Sequence, residues 1–246
     1  MKQKVAIITG ASSGIGKKAA EYLAKQNISV MLAARREDEL LRLQKKIIEI
    51  GGIASLHVAD VTSYNQMKML AEDTIRKYGK IDFLINSAGI MDVSFFNDLR
   101  VEEWNKMIDV NIKGTLHGIA AVLPHMESQN EGHIINISSV AGYEVTVPRS
   151  VYSATKFAIR AITEGLRKEL KPEQNIRTTL IAPGAVTTDL LKDLPDSEAL
   201  QMIKQEGSFA YSLTTEDISK AILYAIRQPI AVSINEVIVR PTAQRR

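Results

Sequence analysis

Short apolar runs and longer amphipathic stretches alternate along this chain from one end to the other. Val5-Ala6-Ile7-Ile8 is a brief apolar run of the kind that forms a strand buried on both faces. The spacing after it predicts a helix from Ile15 to about Gln26, a strand over Ile28 to Ala33, and a charged helix over Glu37 to Ile50. Ile53 to Val58 reads as a third strand, Gln66 to Tyr78 as a third helix, and Ile81 to Ile85 as a fourth strand. Val101 to Met126 reads as one long helical segment. A strand over His133 to Ile137, a helix over Ser150 to Leu170 and a strand over Ile176 to Ile181 follow. A helix over Thr215 to Ile226 and a short strand over Val237 to Val239 close the pattern. The stretch from Asp189 to Ser212 fits neither period.

Strands separated by helix-length connections pair in parallel, because a parallel crossover has to travel the length of the sheet. The pattern therefore predicts an α/β fold, a doubly wound, mostly parallel seven-stranded sheet with helices on both faces. A chain of 246 residues suits one such domain and is too short for two. No repeat, linker or low-complexity tract interrupts it.

Composition narrows the chemistry. The net charge of +3 and the absence of a long Lys/Arg block argue against a nucleic-acid or membrane-surface partner. With no cysteine there is neither a disulfide nor a thiolate metal site, and His57, His117, His125 and His133 show no metal-ligand spacing. No metal is expected. The Met1-Lys2-Gln3-Lys4 start runs straight into a strand with no signal-peptide pattern, so a cytoplasmic location is expected.

The first strand is followed by Thr9-Gly10-Ala11-Ser12-Ser13-Gly14-Ile15-Gly16 and then a helix. Glycines permit a sharp turn and close backbone approach, and a new helix offers unpaired N–H groups and a positive dipole end. Together they suit a pyrophosphate. The spacing is G-x-x-x-G-x-G rather than the commoner G-x-G-x-x-G. About 20 residues on, where NAD-binding folds of this type place an acid for the adenosine ribose, stands Ala34 followed by Arg35-Arg36. No carboxylate there repels a 2′-phosphate, and two guanidinium groups can grip one. Glu37 and Asp38 lie close by but suit the first turn of a helix. NADP is expected rather than NAD.

Tyr152 and Lys156, four apart at the start of the fifth long helix, share one face, and Ser139 stands just past the fifth strand. Alone, Tyr-x-x-x-Lys is common. Together with the segments around it, the chain resembles the short-chain dehydrogenase/reductase family, in its compact single-domain subclass, over essentially its whole length. The matching segments are Thr9 to Gly16, Asp60-Val61, Asn86-Ser87-Ala88-Gly89, Asn111, Ser138-Ser139, Tyr152 to Lys156, and Pro183-Gly184 with Thr188.

The resemblance implies a Rossmann fold, with Ser139, Tyr152, Lys156 and Asn111 as the catalytic set. Ser139 is chosen over Ser138 by its separation of thirteen residues from Tyr152. It further implies that Gly10, Ser12, Ser13, Gly14, Ile15 and Gly16 cradle the pyrophosphate and that Asp60 and Val61 meet the adenine. Asn86, Ala88 and Gly89 would line the ribose side, with Pro183, Gly184, Val186 and Thr188 towards the nicotinamide. Ser87 departs from the family's usual Asn-Asn-Ala-Gly; Asn86 is kept, so little change is expected.

The implied reaction is hydride transfer between the nicotinamide and a carbonyl or alcohol. Tyr152 would be the proton donor, or the base in the oxidative direction. A lysine cation about 4 Å from a phenol is worth roughly 4 kcal/mol at an effective dielectric of 20, about three pH units. Lys156, with the positive nicotinamide, is thus expected to bring Tyr152 towards working pH while holding the ribose. Ser139 would stabilise the substrate oxygen, and Asn111 would anchor a water leading from Lys156 to solvent.

Competing functions are a non-catalytic dinucleotide-binding regulator, which should have lost one of Tyr152, Lys156 or Ser139, and a sugar-nucleotide epimerase, which needs a longer chain. Within the reductases, a 3-oxoacyl-carrier-protein substrate and a small carbonyl compound both remain open. The stretch 189–212 is expected to be a lid, mixing Leu190, Leu191, Leu194, Leu200, Met202, Ile203, Phe209 and Tyr211 with charges and Pro195. With Tyr143, Val145 and Val147 opposite, it predicts a mostly apolar pocket, beside which Arg149 could meet a substrate carboxylate. Apolar residues on more than one side of 101–126 and 150–170 (Ile108, Leu116, Phe157 among them) predict a homodimer or homotetramer.

Overall fold

A computed structural model of the chain describes residues 3–191, 197–205 and 212–244. Its strands are β1 (Lys4–Thr9), β2 (Ile28–Ala34), β3 (Ala54–Val58), β4 (Phe83–Asn86), β5 (Gly132–Ile137), β6 (Ile176–Pro183) and β7 (Glu236–Val239). The helices are α1 (Gly14–Ala24), α2 (Glu37–Glu49), α3 (Tyr64–Tyr78), α4 (Val101–Met107), α5 (Gly114–Gln129), α6 (Ser150–Glu169), α7 (Glu198–Gln205) and α8 (Thr215–Ile226).

Alternation along each strand creates two cores. In β1, Ala6 and Ile8 join Leu23 of α1, Leu40 and Ile47 of α2 and Ile222 of α8 on one side of the sheet. Ile7 points the other way, to Met67 and Leu70 of α3 and Val122 and Met126 of α5. Burial on both faces explains why β1, β2 and β4 read as unbroken apolar runs.

The strands pair in the order β3-β2-β1-β4-β5-β6-β7, and all six pairings are parallel. The sheet is thus parallel throughout rather than mostly so. The chain winds outward from β1 to β3, then returns to lay β4 on the other side of β1. The carboxyl ends of β1 and β4 therefore diverge, opening the crevice where such sheets bind ligands.

Two regions depart from the periodicity. The single helix expected over 101–126 is divided into α4, a π-helical turn over Ile108–Lys113, and α5. The wider turn lets the side chain of Asn111 reach Ile90, and Thr115 Oγ1 donates to the Asn111 carbonyl at 2.8 Å. Gly114 permits the approach to β3's following loop, since a Cβ there would lie 2.7 Å from Val61 Cγ2. Within 189–212 the chain forms α7, whose Ala199, Leu200 and Ile203 are buried. Residues 192–196 and 206–211, with Leu194, Pro195, Phe209 and Tyr211 of the expected lid, lie outside the described residues. Among the described residues, no helix is long and apolar enough to cross a membrane, and no cluster of metal-ligating side chains occurs.

Candidate active site

The glycine turn leaves β1 at the crevice. Gly10 has φ +66°, and a Cβ on it would fall 2.8 Å from the Ala88 backbone, so neither its conformation nor its space suits another residue. Thr9 Oγ1 accepts the N–H groups of Ser87 and Ala88 at 3.1 and 3.2 Å, which ties this turn to the loop after β4. Sequence reasoning gave Thr9 no role of its own. Ser13 occupies the N-cap of α1 without a side-chain cap, and the first turn carries no acid. The leading N–H groups of α1 are thus left to an anion. Thr188 lies against the same turn, its Cγ2 3.6 Å from where a Gly14 Cβ would be. These features fit a dinucleotide pyrophosphate.

At the end of β2 the two arginines part company. Arg36 donates to Ser12 Oγ from Nη2 at 2.9 Å and from Nε at 3.2 Å, which holds its guanidinium at the rim of the glycine turn. Arg35 is exposed and points to Asp60, Nη1 to Oδ2 3.8 Å. Burial works against the Asp60 carboxylate, but hydrogen bonds from the Thr62 N–H and hydroxyl and the Arg35 charge hold its pKa below the usual value. Val61 is buried beside it.

The side chain of Asn86 is turned to the sheet. Its Nδ2 donates to Asn136 Oδ1 at 2.9 Å and to the Thr115 carbonyl at 3.4 Å, and Asn136 in turn donates to Thr163 Oγ1. The amide is turned into the layer between sheet and helices, so only the backbone of Asn86 faces the crevice. Ala88 and Gly89 continue along its rim. On the far side, Gly184 N donates to the Val239 carbonyl at 2.7 Å, and Ala185 N to Gln244 Oε1 at 3.0 Å. Val186 bridges to Leu213. The Pro183–Thr188 loop is therefore backed by the C-terminal segment.

Ser139, Tyr152, Lys156 and Asn111 come together where β4 and β5 end. Tyr152 and Lys156 are buried, one turn apart on α6, with Lys156 Nζ 5.5 Å from the Tyr152 ring centroid. The Ser139 hydroxyl stands near enough to the Tyr152 phenol to favour its ionised form, and it accepts the Ala141 N–H at 3.1 Å. Ser138 instead donates to the Lys156 carbonyl at 3.0 Å, which makes it a brace for α6. Lys156 Nζ donates to the Ile137 carbonyl at 3.1 Å, leaving two N–H groups for a ligand. A Cβ on Gly89 would lie 3.4 Å from Asn111 Oδ1 and 3.6 Å from Lys156 Nζ, so these three residues converge.

Asn111 is fully buried, and its amide is committed. Oδ1 accepts the Ile90 N–H at 2.9 Å, and Nδ2 donates to the Ile90 carbonyl at 2.9 Å and to Thr155 Oγ1 at 3.0 Å. It joins the loop after β4 to α6 through Thr155, a partner that sequence reasoning had not singled out.

Burial pushes the Tyr152 phenol up to about 12, against which the Ser139 hydrogen bond and the Arg149 charge act. Burial brings Lys156 down to about 8. Lys156 Nζ lies over the face of the Tyr152 ring, and one of its N–H groups is held by the Ile137 carbonyl. The cation that acts on the phenol is Arg149, half-buried rather than a solvated surface residue.

Two sets of side chains flank Tyr152. Tyr143 is held by its hydroxyl to Glu236 at the start of β7, with Arg160 stacked 4.3 Å from the ring centroid, so its polar end leaves the pocket. Val145 and Val147 are exposed. In their place, Met91, Val93, Met107, Leu200 and Ile203 form one apolar cluster with Tyr152, and α7 thus packs against the catalytic neighbourhood.

Comparison with known proteins agrees with this geometry. The model of the family described as short chain dehydrogenase matches residues 4–199. An uncharacterised oxidoreductase of Staphylococcus saprophyticus is 45% identical over 245 residues, covering 99% of this chain and 98% of that protein. The solved closed form of a serine dehydrogenase with NADP+ is 30% identical, with a TM-score of 0.88, covering 98% of this chain and 96% of that one. A short-chain dehydrogenase/reductase from Burkholderia phymatum with NAD is 27% identical, with a TM-score of 0.87, covering 96% of this chain and 89% of that one. Relatives that match from end to end, over a site assembled in this way, leave no ambiguity of family: the chain is an oxidoreductase and belongs to the short-chain dehydrogenase/reductase family.

Proposed function

We propose that the protein is an NADP-dependent carbonyl reductase, working reversibly as an alcohol dehydrogenase. The observation that carries this reading is the group of half-buried Ser139 with buried Tyr152 and Lys156 where β4 and β5 end. When bound, NADPH supplies the hydride for the carbonyl carbon. The chain's own residues do the rest. Ser139 and Tyr152, side by side, present two hydroxyls to one substrate oxygen. Tyr152 gives its phenolic proton to that oxygen as negative charge develops, or takes the proton back in oxidation. Lys156 holds the cofactor ribose with its two unused N–H groups. Asn111 fixes the loop after β4 against α6 and stands beside Lys156, where it anchors a water leading to solvent.

Arg36, braced by Ser12, favours a 2′-phosphate over a bare ribose, and the structural neighbour with NADP+ supports that preference. The apolar face of α7 supports a role for 189–212 as a lid that excludes water from the hydride step. The outward faces of the π turn, α5 and α6 support a homodimer or homotetramer, since Ile108, Leu116 and Phe157 are 38%, 43% and 38% exposed in the single chain. The deciding experiment follows NADPH oxidation at 340 nm over a panel of aldehydes, ketones and oxo acids. Turnover with at least one class, and weaker turnover with NADH, is expected. No turnover with any carbonyl would remove the reading, and light scattering of the same preparation should show no monomer.

A further inference from the structure

The loop after β3 is tied to α5 by a histidine that the hydride and proton transfers leave unused. Residues 59–63 begin beside the end of β2, where Ala59 N donates to the Ala34 carbonyl at 3.1 Å and Arg35 Nη1 lies 3.8 Å from Asp60 Oδ2. Half-buried His117 reaches this loop from α5, its Nδ1 2.8 Å from the Val61 carbonyl oxygen. A carbonyl can only accept, so Nδ1 carries the hydrogen. Gly114, one turn earlier on α5, allows the approach, because a Cβ there would lie 2.7 Å from Val61 Cγ2.

The Val61 carbonyl and the Thr62 N–H belong to one peptide unit, which is planar and rigid. At its other end the Thr62 N–H donates to Asp60 Oδ1 at 2.9 Å, and the Thr62 hydroxyl donates to the same oxygen at 2.8 Å. Fixing the carbonyl end therefore fixes the direction of the N–H. A hydrogen bond accepted at the carbonyl also strengthens that N–H as a donor. With Oδ1 engaged twice, Oδ2 keeps the greater capacity to accept from a ligand.

We propose that His117 is a positioning residue for the base of the cofactor: through the Val61–Thr62 peptide it aims the Asp60 carboxylate, which accepts the exocyclic amino group of an aminopurine. A 2′-phosphate on Arg36 and the base share one ribose, which brings the base to this end of the sheet. A carboxylate in that place attracts an amino group and repels a ring carbonyl, so adenine is favoured over hypoxanthine. The inference rests on the dinucleotide reading above and adds to it the residue that orients the base contact.

The test is fluorescence titration of the unmodified protein, His117→Phe and His117→Asn with NADPH, NADH and the hypoxanthine analogue of NADPH, together with initial rates on a carbonyl from the panel above. His117→Phe keeps a ring beside Tyr64, whose centroid lies 5.9 Å from that of His117, and removes the donor. It should weaken NADPH and NADH alike by about fivefold, the scale of one neutral hydrogen bond. The KM for NADPH should rise with it, while kcat at saturating cofactor stays within about twofold. The hypoxanthine analogue should lose no more than about twofold, so the preference for adenine shrinks. His117→Asn places an amide N–H near where Nδ1 stood, and should bring NADPH back within about twofold of the unmodified protein. If the variants do not fold, ¹⁵N NMR of the unmodified protein reads the same bond: Nδ1 of His117 should be protonated, and its resonance should move further with NADPH than with the hypoxanthine analogue. A bare Nδ1, unchanged NADPH binding in His117→Phe, equal losses for adenine and hypoxanthine cofactors, or no recovery in His117→Asn would overturn the inference while leaving the oxidoreductase reading intact. An unmodified protein that binds neither NADPH nor NADH would overturn both.

Discussion

Replacing Arg36 by alanine removes a guanidinium that two hydrogen bonds to Ser12 Oγ already hold at the rim of the glycine turn. A charge-assisted contact to phosphate is worth about 1.5–3 kcal/mol, which corresponds to roughly tenfold to 150-fold in affinity. Because Ser12 orders the side chain beforehand, little of that is lost to immobilising it, and the upper half of the range is expected. Arg35 is a weaker contributor. Its side chain is 64% exposed and 3.8 Å from Asp60, so it must leave an ion pair to reach a phosphate. Arg36→Ala should therefore raise the KM for NADPH by about 30-fold or more, and Arg35→Ala by no more than about tenfold. Neither should change the KM for NADH by more than about twofold, since that cofactor carries no 2′-phosphate. The assay is initial-rate absorbance at 340 nm with each cofactor varied at saturating carbonyl. A larger effect from Arg35→Ala, or equal losses with NADPH and NADH, would show that the reasoning about the Ser12 brace is wrong.

Tyr152→Phe should lower kcat by about 10²–10⁴-fold and leave NADPH binding, read by fluorescence titration, nearly unchanged; more than a tenth of the activity remaining would place the acid elsewhere. Lys156, brought down to about 8 by burial, is a cation below that pH and neutral above it, so kcat/KM for NADPH should fall as pH rises through about 8. A profile flat to pH 10 would count against it. His133, buried on β5 with its pKa pushed from 6.5 to about 3, chiefly by burial, must stay neutral in the fold. Its folded value lies below its unfolded one, so the stability it contributes is present above pH 6.5 and is lost as pH falls towards 3, at most about 5 kcal/mol by linkage. Urea midpoints measured from pH 7 to pH 4 should fall more steeply in the unmodified protein than in His133→Gln; parallel curves would assign the acid lability to other groups. Limited proteolysis should cut within 189–212 in the free enzyme and be slowed by NADPH with a substrate analogue, and unchanged cleavage would leave that segment a structural element.

Much of the fold was legible in the residues because the signals are local. The apolar runs of β1, β2 and β5 and the amphipathic spacing of α2, α3 and α8 state their own geometry, and a parallel sheet is what such an alternation can form. The glycine turn and the pair Tyr152/Lys156 are readable for the same reason: their spacing along one turn or one helix sets where they point. Side-chain direction at longer range was not readable. Nothing in Asn86 or Tyr143 shows that the first turns inward to Asn136 and the second outward to Glu236, since each choice depends on which hydrogen-bond partner the packed sheet brings within reach. Likewise the partners of the Asn111 side chain in its π turn, Ile90 and Thr155, come from distant parts of the chain. The high pKa of Tyr152 follows from burial, which no spacing rule contains. Sequence by itself determined which chemistry this chain carries and in what frame; tertiary packing decided which groups are dry and which are braced, because both depend on partners that only the folded chain brings within reach.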